Sequence, residues 1–204
     1  MRTTGQVRRD IEWVGIAFLF SGAAGLMYQV AWQRMLFAAF GIDLASVAII
    51  VSAFMLGLGL GALAGGWVGD RWPNYTLTAF AICELGIGSF GLASPHALRS
   101  VASFFLDASF LTMGAATFVL MLIPTMLMGA TLPILIAHLA RIWGNVGGAT
   151  GHLYAVNTFG AMLGALVTGF LLFNYVELDV VVYMASAINV SVACGVYFLL
   201  RRSR

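Results

Sequence analysis

The chain contains no lysine and few charged residues of either sign. Of its 204 residues, 9% are charged and 61% are hydrophobic, and the formal net charge is +2. Because a water-soluble domain typically carries about 25% charged residues, this composition excludes one and indicates a polytopic membrane protein. The small net charge gives no sign of nucleic-acid binding, and we expect no nucleic-acid partner.

Cysteine and histidine are also scarce. Cys83 and Cys194 fall in apolar stretches, where free cysteine behaves as a small buried hydrophobic residue. His96, His138 and His152 are scattered, without the neighbouring cysteines or acids that a metal site needs. Since no Ser–His–Asp arrangement has an interpretable spacing either, we expect no metal, no cofactor and no enzymatic activity.

Long apolar runs occupy most of the chain. A helix needs roughly 20 apolar residues to cross about 30 Å of hydrocarbon, and six segments meet this requirement. They lie at about 13–33, 44–68, 75–93, 109–129, 151–173 and 179–200. The sequence therefore predicts an all-α bundle of about six transmembrane helices, which forms a single integral membrane domain over residues 1–204.

Two shorter stretches affect the helix boundaries. Residues 96–107 are too few to cross a bilayer and alternate polar with apolar side chains, so we expect a short helix at the membrane surface. Residues 130–141 contain Pro133, which removes a backbone donor and crowds the preceding turn. We interpret this second stretch as a kinked continuation of the fourth span.

The distribution of arginine predicts the orientation of the bundle. With the N-terminus inside, eight of the ten arginines lie on the inner side, and only Arg34 and Arg99 lie on the outer side. Basic residues accumulate on the cytoplasmic side of membrane proteins. We therefore expect both termini in the cytoplasm, as an even number of spans requires.

Glycine is abundant and regularly spaced. Four glycines recur at every fourth position of the second span, and the fifth span carries a similar small-residue face. These positions are Gly57, Gly61, Gly65 and Gly69 in the second span and Gly160 and Gly164 in the fifth. Such stripes let two backbones approach closely, which is how helices associate in lipid. We expect these glycines to mediate helix packing.

Glu84 is the most distinctive polar residue within the predicted spans. It falls near the middle of the third span, where a charge is costly and such residues are often functional. Two interpretations remain: an acid hydrogen-bonded to another helix for packing, or a carboxyl that relays protons or binds a cationic substrate. Asn189 lies at a similar depth in the sixth span and is the first candidate partner of Glu84.

Other polar residues lie within or near the outer end of the spans. Asn157 is on the small-residue face of the fifth span and, like Asn189, is explained by hydrogen bonds between helices. A further cluster at the outer end of the first span either anchors the helix at the interface or lines an outward-facing cavity. Its members are Tyr28, Gln29, Trp32, Gln33 and Arg34.

Asp70 and Arg71 follow the glycine stripe at the inner end of the second span. An acid is unfavourable at a helix C-terminus, so Asp70 is expected to need a basic partner. Two interpretations stay open for this pair. Either it bonds across to the loop between residues 141 and 152 and holds the cytoplasmic face closed, or it forms a solvated turn.

Four motifs occur in order along the chain. They are SGAAGLMYQVAWQR at 21–34, Gly-Asp-Arg at 69–71, MGATLP at 128–133 and GHLYAVNTFGA at 151–161. Together they resemble the N-terminal membrane domain of the bacterial fused major-facilitator/spermidine-synthase-like proteins. The motif at 69–71 also resembles the loop between the second and third helices of major-facilitator transporters, of which six spans would form half.

The resemblance implies a multi-pass protein of the bacterial cytoplasmic (inner) membrane. The aminopropyltransferase domain of the fused proteins does not follow in this sequence, and Gln29 stands where the family pattern usually has an acid. We therefore expect a non-enzymatic assembly module that binds another membrane protein, a synthase-like soluble partner or a second copy of itself. The alternative is a half-transporter for a small cationic or amine substrate, although the sequence shows no inverted repeat.

Overall fold

The computed structural model describes residues 4–40, 43–104 and 110–202, and within them the chain forms helices joined by short connections. The six long helices are α1 (Thr4–Phe40), α2 (Asp43–Arg71), α3 (Thr76–Phe104), α4 (Phe110–Trp143), α5 (Val146–Leu166) and α6 (Leu178–Arg202). A 3₁₀ turn, Pro73–Tyr75, joins α2 to α3. A π-helical stretch, Val167–Leu172, and a one-turn helix, Phe173–Tyr175, continue α5.

Six helical segments of the described chain are long and apolar enough to cross a membrane. Their outward faces carry many large apolar side chains, such as Phe170, which is 78% exposed. Water would penalise such a surface, whereas lipid requires it. The predicted all-α bundle is confirmed, and the protein is a multi-pass membrane protein.

The surface helix predicted at 96–107 is wrong over residues 96–104, which continue α3 without a break; residues 105–107 lie outside the described ranges. The helix passes through Pro95, whose missing N–H leaves the carbonyl of Gly91 without its helical donor. The Ser94 hydroxyl donates to that carbonyl at 2.9 Å and thereby replaces the lost bond. Residues 130–141 continue α4 through Pro133, so the predicted continuation of the fourth span is confirmed.

The helices pack as three close pairs: α2 with α4, α1 with α5, and α3 with α6. In addition, α1 packs on α6 and α2, and α4 packs on α3 and α5. Exchanging the first three helices with the last three maps these contacts onto one another, although a smaller contact of α1 with α3 has no equally extensive counterpart. The main contacts of the bundle therefore follow the pattern of two three-helix units.

The α1–α5 pair is joined through glycines that touch backbone. Gly160 lies against the carbonyl of Leu19, and Gly164 lies against the carbonyl of Ala23. From the other side, Gly22 of α1 lies against the backbone of Asn157. A Cβ at any of the three glycines would overlap these backbone atoms, so only glycine permits this separation of the helices.

The α4–α2 pair repeats these contacts in the same register. Gly61 lies against the carbonyl of Met126, Gly65 against that of Ala130, and Gly129 against the backbone of Leu58. The contacts thus match α1 with α4, pairing positions 19, 22 and 23 with 126, 129 and 130. They also match α5 with α2, pairing positions 157, 160 and 164 with 58, 61 and 65. Because each unit has three spans, the two units run in opposite directions, which makes this an inverted repeat.

Two more glycines of α2 extend the stripe beyond this shared register. Gly57 lies against the side chain of Thr125, and Gly69 lies against Ala137. All four glycines of the predicted stripe therefore face α4. The stripe predicted close packing, and the structure identifies the helix that fills it.

Candidate functional site

A cavity of about 450 Å³ lies at the centre of the bundle. α1 and α4 form its seam, α2 and α5 contribute its sides, and Ile87 of α3 and Asn189 of α6 lie at its wall. Its polar side chains are Ser21, Gln29, Thr131, Tyr154, Asn157 and Asn189. None of the described lining residues is charged. The volume falls within the roughly 300–1,000 Å³ typical of small-molecule sites.

Glu84 lies directly behind the polar wall of this cavity and is fully buried. The Ser21 hydroxyl donates to its Oε1 at 2.6 Å, and the Asn189 Nδ2 donates to its Oε2 at 2.6 Å. These bonds join α3 to α1 and to α6. Since Ser21 and Asn189 also line the cavity, the carboxyl is separated from it by one side chain on each path.

No arginine or histidine of the described ranges pairs with Glu84. A buried carboxylate without a cationic partner is costly, even when both of its oxygens are hydrogen-bonded. A proton on the carboxyl, or a cation from outside the protein, would remove this cost. This lack of a cationic partner among the described residues is the main chemical property of the site.

Asn189, a residue of the cavity wall, has an unused acceptor. The residue is 1% exposed, and its Nδ2 is held by Glu84. Its Oδ1 is buried and has no hydrogen-bond partner in the described structure. Unpaired buried carbonyl groups are uncommon and costly, so this oxygen is a candidate contact for a ligand with N–H or O–H donors.

The cluster predicted at the outer end of the first span divides into three environments. Tyr28 and Trp32 are fully buried and stacked at 4.8 Å between ring centroids, so neither interpretation of the cluster holds for them. Gln29 lines the cavity, and Gln33 is half-buried. Arg34 is exposed and places its guanidinium 4.5 Å from the Phe173 ring centroid. Of the five, only Gln29 lines the central cavity.

Asn157 and Asn189 have different roles in the structure. The predicted hydrogen bond between Glu84 and Asn189 is present. The side chain of Asn157 makes no hydrogen bond to any described residue and lies at the cavity wall. Sequence reasoning missed Ser21, which holds the second carboxyl oxygen. A hydroxyl near the middle of the first span was the available signal.

Asp70 and Arg71 are exposed and form no ion pair or side-chain hydrogen bond with the described residues. The predicted bonds to the loop between residues 141 and 152 are therefore not formed. Arg141 instead reaches back from α4, donating to the Pro73 carbonyl and, at 3.1 Å, to the Thr76 hydroxyl. An arginine from α4 thus secures the turn between α2 and α3.

Fold and site together define a multi-pass all-α membrane protein with a polar-lined cavity inside an inverted three-helix repeat. Comparison of the chain with protein-family models, curated proteins and solved structures finds no match. The resemblance to the membrane domain of the spermidine-synthase-like fusions therefore stays a prediction.

Proposed function

We propose that this protein binds a small organic cation in its central cavity and carries it across the membrane as half of a dimeric transporter. The observation that carries the proposal is the buried carboxyl of Glu84, which has no basic partner among the described residues and is joined to the cavity through Ser21 and Asn189. A bound cation supplies the compensating charge that the described residues do not.

The chemistry of the cavity wall supports a cation with N–H donors. Asn189 Oδ1 is free to accept a hydrogen bond, and the side-chain amides of Gln29 and Asn157 add further acceptors. Phe18 and Phe54 supply aromatic rings, whose faces attract cations. A small amine satisfies all of these groups, whereas an anion would meet an acidic group and no basic side chain among the described lining residues.

The coverage of the helices supports a dimer. In α5, 17% of the most apolar stretch is buried, and in α2 28%, against 39% or more in the other four spans. These two helices also contribute the sides of the cavity. A second copy packed on α2 and α5 would cover both helices and enclose the cavity. We place the dimer in the bacterial cytoplasmic membrane with both termini inside.

Transport by proteoliposomes tests this function. Vesicles that contain the protein should accumulate at least one of radiolabelled putrescine, spermidine and tetramethylammonium. Glu84→Gln should abolish uptake because it removes the charge behind the cavity. Glu177→Gln makes the same chemical change at an exposed residue and should leave uptake intact. Uptake that survives Glu84→Gln, or the absence of uptake for every probe, would reject the proposal.

A second candidate function is a non-enzymatic assembly module for another membrane protein or a synthase-like partner. The observation that favours it is on the fifth span, where nothing packs within 4 Å of Gly151 or Gly169. Bare glycines on an outward face allow another helix to approach closely. Purification in mild detergent with a stoichiometric partner, unchanged by Glu84→Gln, would favour this function over transport.

A further inference from the structure

We propose that a proton on Glu84 and a cation in the cavity exclude each other, and that Ser21 and Asn189 transmit this exchange by reversing a hydrogen bond. The inference rests on the proposed cation-binding function and adds its energetic coupling. It follows from which groups donate hydrogen bonds to the buried Glu84 carboxyl and which accept them.

In the observed arrangement both partners of Glu84 are donors. The Ser21 hydroxyl and the Asn189 Nδ2 each donate to a different carboxyl oxygen at 2.6 Å. An ionised carboxylate only accepts hydrogen bonds, so both groups donate to Glu84 when it is ionised. Since Nδ2 is engaged, the acceptor Oδ1 is the group that Asn189 has free for a ligand.

Protonation of Glu84 forces one of these two bonds to reverse. The protonated oxygen becomes a donor, and it faces a group that is itself donating. Either Ser21 turns its hydrogen away and accepts, or Asn189 turns its amide over so that Oδ1 accepts and Nδ2 is released. Both outcomes replace an acceptor by a donor at the cavity wall and remove the negative charge behind it. Both changes disfavour a bound cation.

Among the described groups around Glu84, the Glu84 carboxyl is the one that gains or loses a proton near neutral pH. From α1, Ser21 and Tyr28 lie near it; Cys83 is its neighbour on α3; α6 presents Asn189. Phenols and thiols are ordinarily uncharged near neutral pH. No titratable side chain of the described part of α4 acts on the carboxyl. Proton exchange with the cation is therefore centred on Glu84.

Binding linkage makes the exchange measurable. If the bound cation displaces the proton, the proton must equally displace the cation. Because the site has a single carboxyl, at most one proton leaves for each cation that binds, and a monovalent cation leaves the total charge at the site unchanged. The apparent affinity for the cation should then rise by about tenfold per pH unit wherever the free protein retains the proton. Repeated on the two sides of a membrane, this exchange constitutes cation–proton antiport.

Proton release on cation binding tests the coupling. Purified protein in weakly buffered detergent is titrated with putrescine, spermidine and tetramethylammonium across a pH series, while an indicator dye follows released protons. The wild type should release protons, and its affinity should increase with pH. Glu84→Gln should release none and bind without pH dependence. Asn157→Ala, which alters the cavity wall away from Glu84, should bind more weakly but still release protons.

The outcomes separate the two proposals. Binding of a probe without proton release, at an affinity independent of pH, would overturn the coupling and leave the proposed transport function standing. Failure of every probe to bind would overturn both. Proton release that persists in Glu84→Gln would assign the exchange to another group and would also overturn this inference.

Infrared spectroscopy tests the hydrogen-bond reversal without any ligand and without altering Glu84. The sequence contains three glutamates, Glu12, Glu84 and Glu177, so isotope-labelled glutamate in a Glu12→Gln/Glu177→Gln background reports Glu84 alone. Raising the pH should remove its protonated-carboxyl band and shift a side-chain amide or hydroxyl band at the same time. Loss of the carboxyl band with no such shift in this background would refute the reversal, and so would a shift that persists when Ser21→Ala and Asn189→Leu are added to it.

Discussion

At the scale of single residues, buried hydroxyls complete hydrogen bonds that the helices alone leave open. Ser94 is fully buried, donates to the Gly91 carbonyl that Pro95 deprives of its partner, and accepts the Trp32 indole N–H at 2.8 Å. Hydrocarbon offers no water to satisfy such groups. One serine therefore maintains the continuity of α3 and also fixes α1 against it.

Ser94→Ala should destabilise the protein by about 1–3 kcal/mol, because it leaves a buried carbonyl and a buried indole N–H unpaired. Ser103→Ala is a matched control: its hydroxyl donates to Ser100 on the same helix at 3.0 Å, but in an exposed position. Unfolding in mixed detergent micelles, followed by tryptophan fluorescence, measures both variants. Equal stability of the two variants would contradict the role assigned to Ser94.

The site illustrates how far residue-level prediction reaches. The partnership of Glu84 and Asn189 could be predicted because two polar groups at equal depth in a membrane favour each other over lipid. The burial of Tyr28 and Trp32 could not, because an aromatic side chain near a span end is equally typical of an interface and of a core. The cavity itself depends on how six helices pack, which no single span determines.

At the scale of helices, packing in this bundle depends on backbone contact through glycine. Gly61 touches the carbonyl of Met126, whereas a methyl group added at Gly66 on the same helix would meet nothing within 4 Å. The period-four stripe predicted that α2 packs closely. It did not identify α4 as the partner, because a bare backbone accepts any helix of suitable shape.

Gly61→Ala should destabilise the bundle by about 1–3 kcal/mol, since the new methyl group overlaps backbone that cannot move independently of α4. Gly160→Ala should cost a similar amount, because it occupies the corresponding position against Leu19. Gly66→Ala is the control and should be neutral or slightly stabilising. The measurement is the midpoint of thermal unfolding in detergent. A tolerated alanine at Gly61 would contradict the packing described here.

The inverted repeat escaped sequence analysis for a physical reason. The two units share Gly-Ala at 22–23 and 129–130, and a pair of glycines four residues apart at 160/164 and 61/65. Contacts between backbones constrain only these small residues and leave the intervening side chains free to differ. Because so few positions are shared, the repeat can be recognised only when the contacts between the helices are known.

At the scale of the whole molecule, the arginine distribution predicts that both ends of the chain lie in the cytoplasm. A fluorescent reporter that matures only in the cytoplasm, fused to either terminus, should therefore be fluorescent. A phosphatase reporter that is active only outside the cytoplasm should be inactive at both termini. Opposite results at the two ends would contradict an even number of crossings, and reversed results at both would invert the assigned orientation.

The π-helical stretch Val167–Leu172 makes the two units unequal at one end. By the register of the repeat, Thr168 corresponds to Gly69, so the glycine series stops there on the fifth span while it continues on the second. Thr168 is fully buried, and its hydroxyl has no partner in the described structure. Because a wide turn accommodates one additional residue, everything beyond it is rotated by about 100° relative to a regular helix. The close contact through glycine therefore ends at Gly164 on the fifth span, whereas on the second span it continues one turn further, to Gly69.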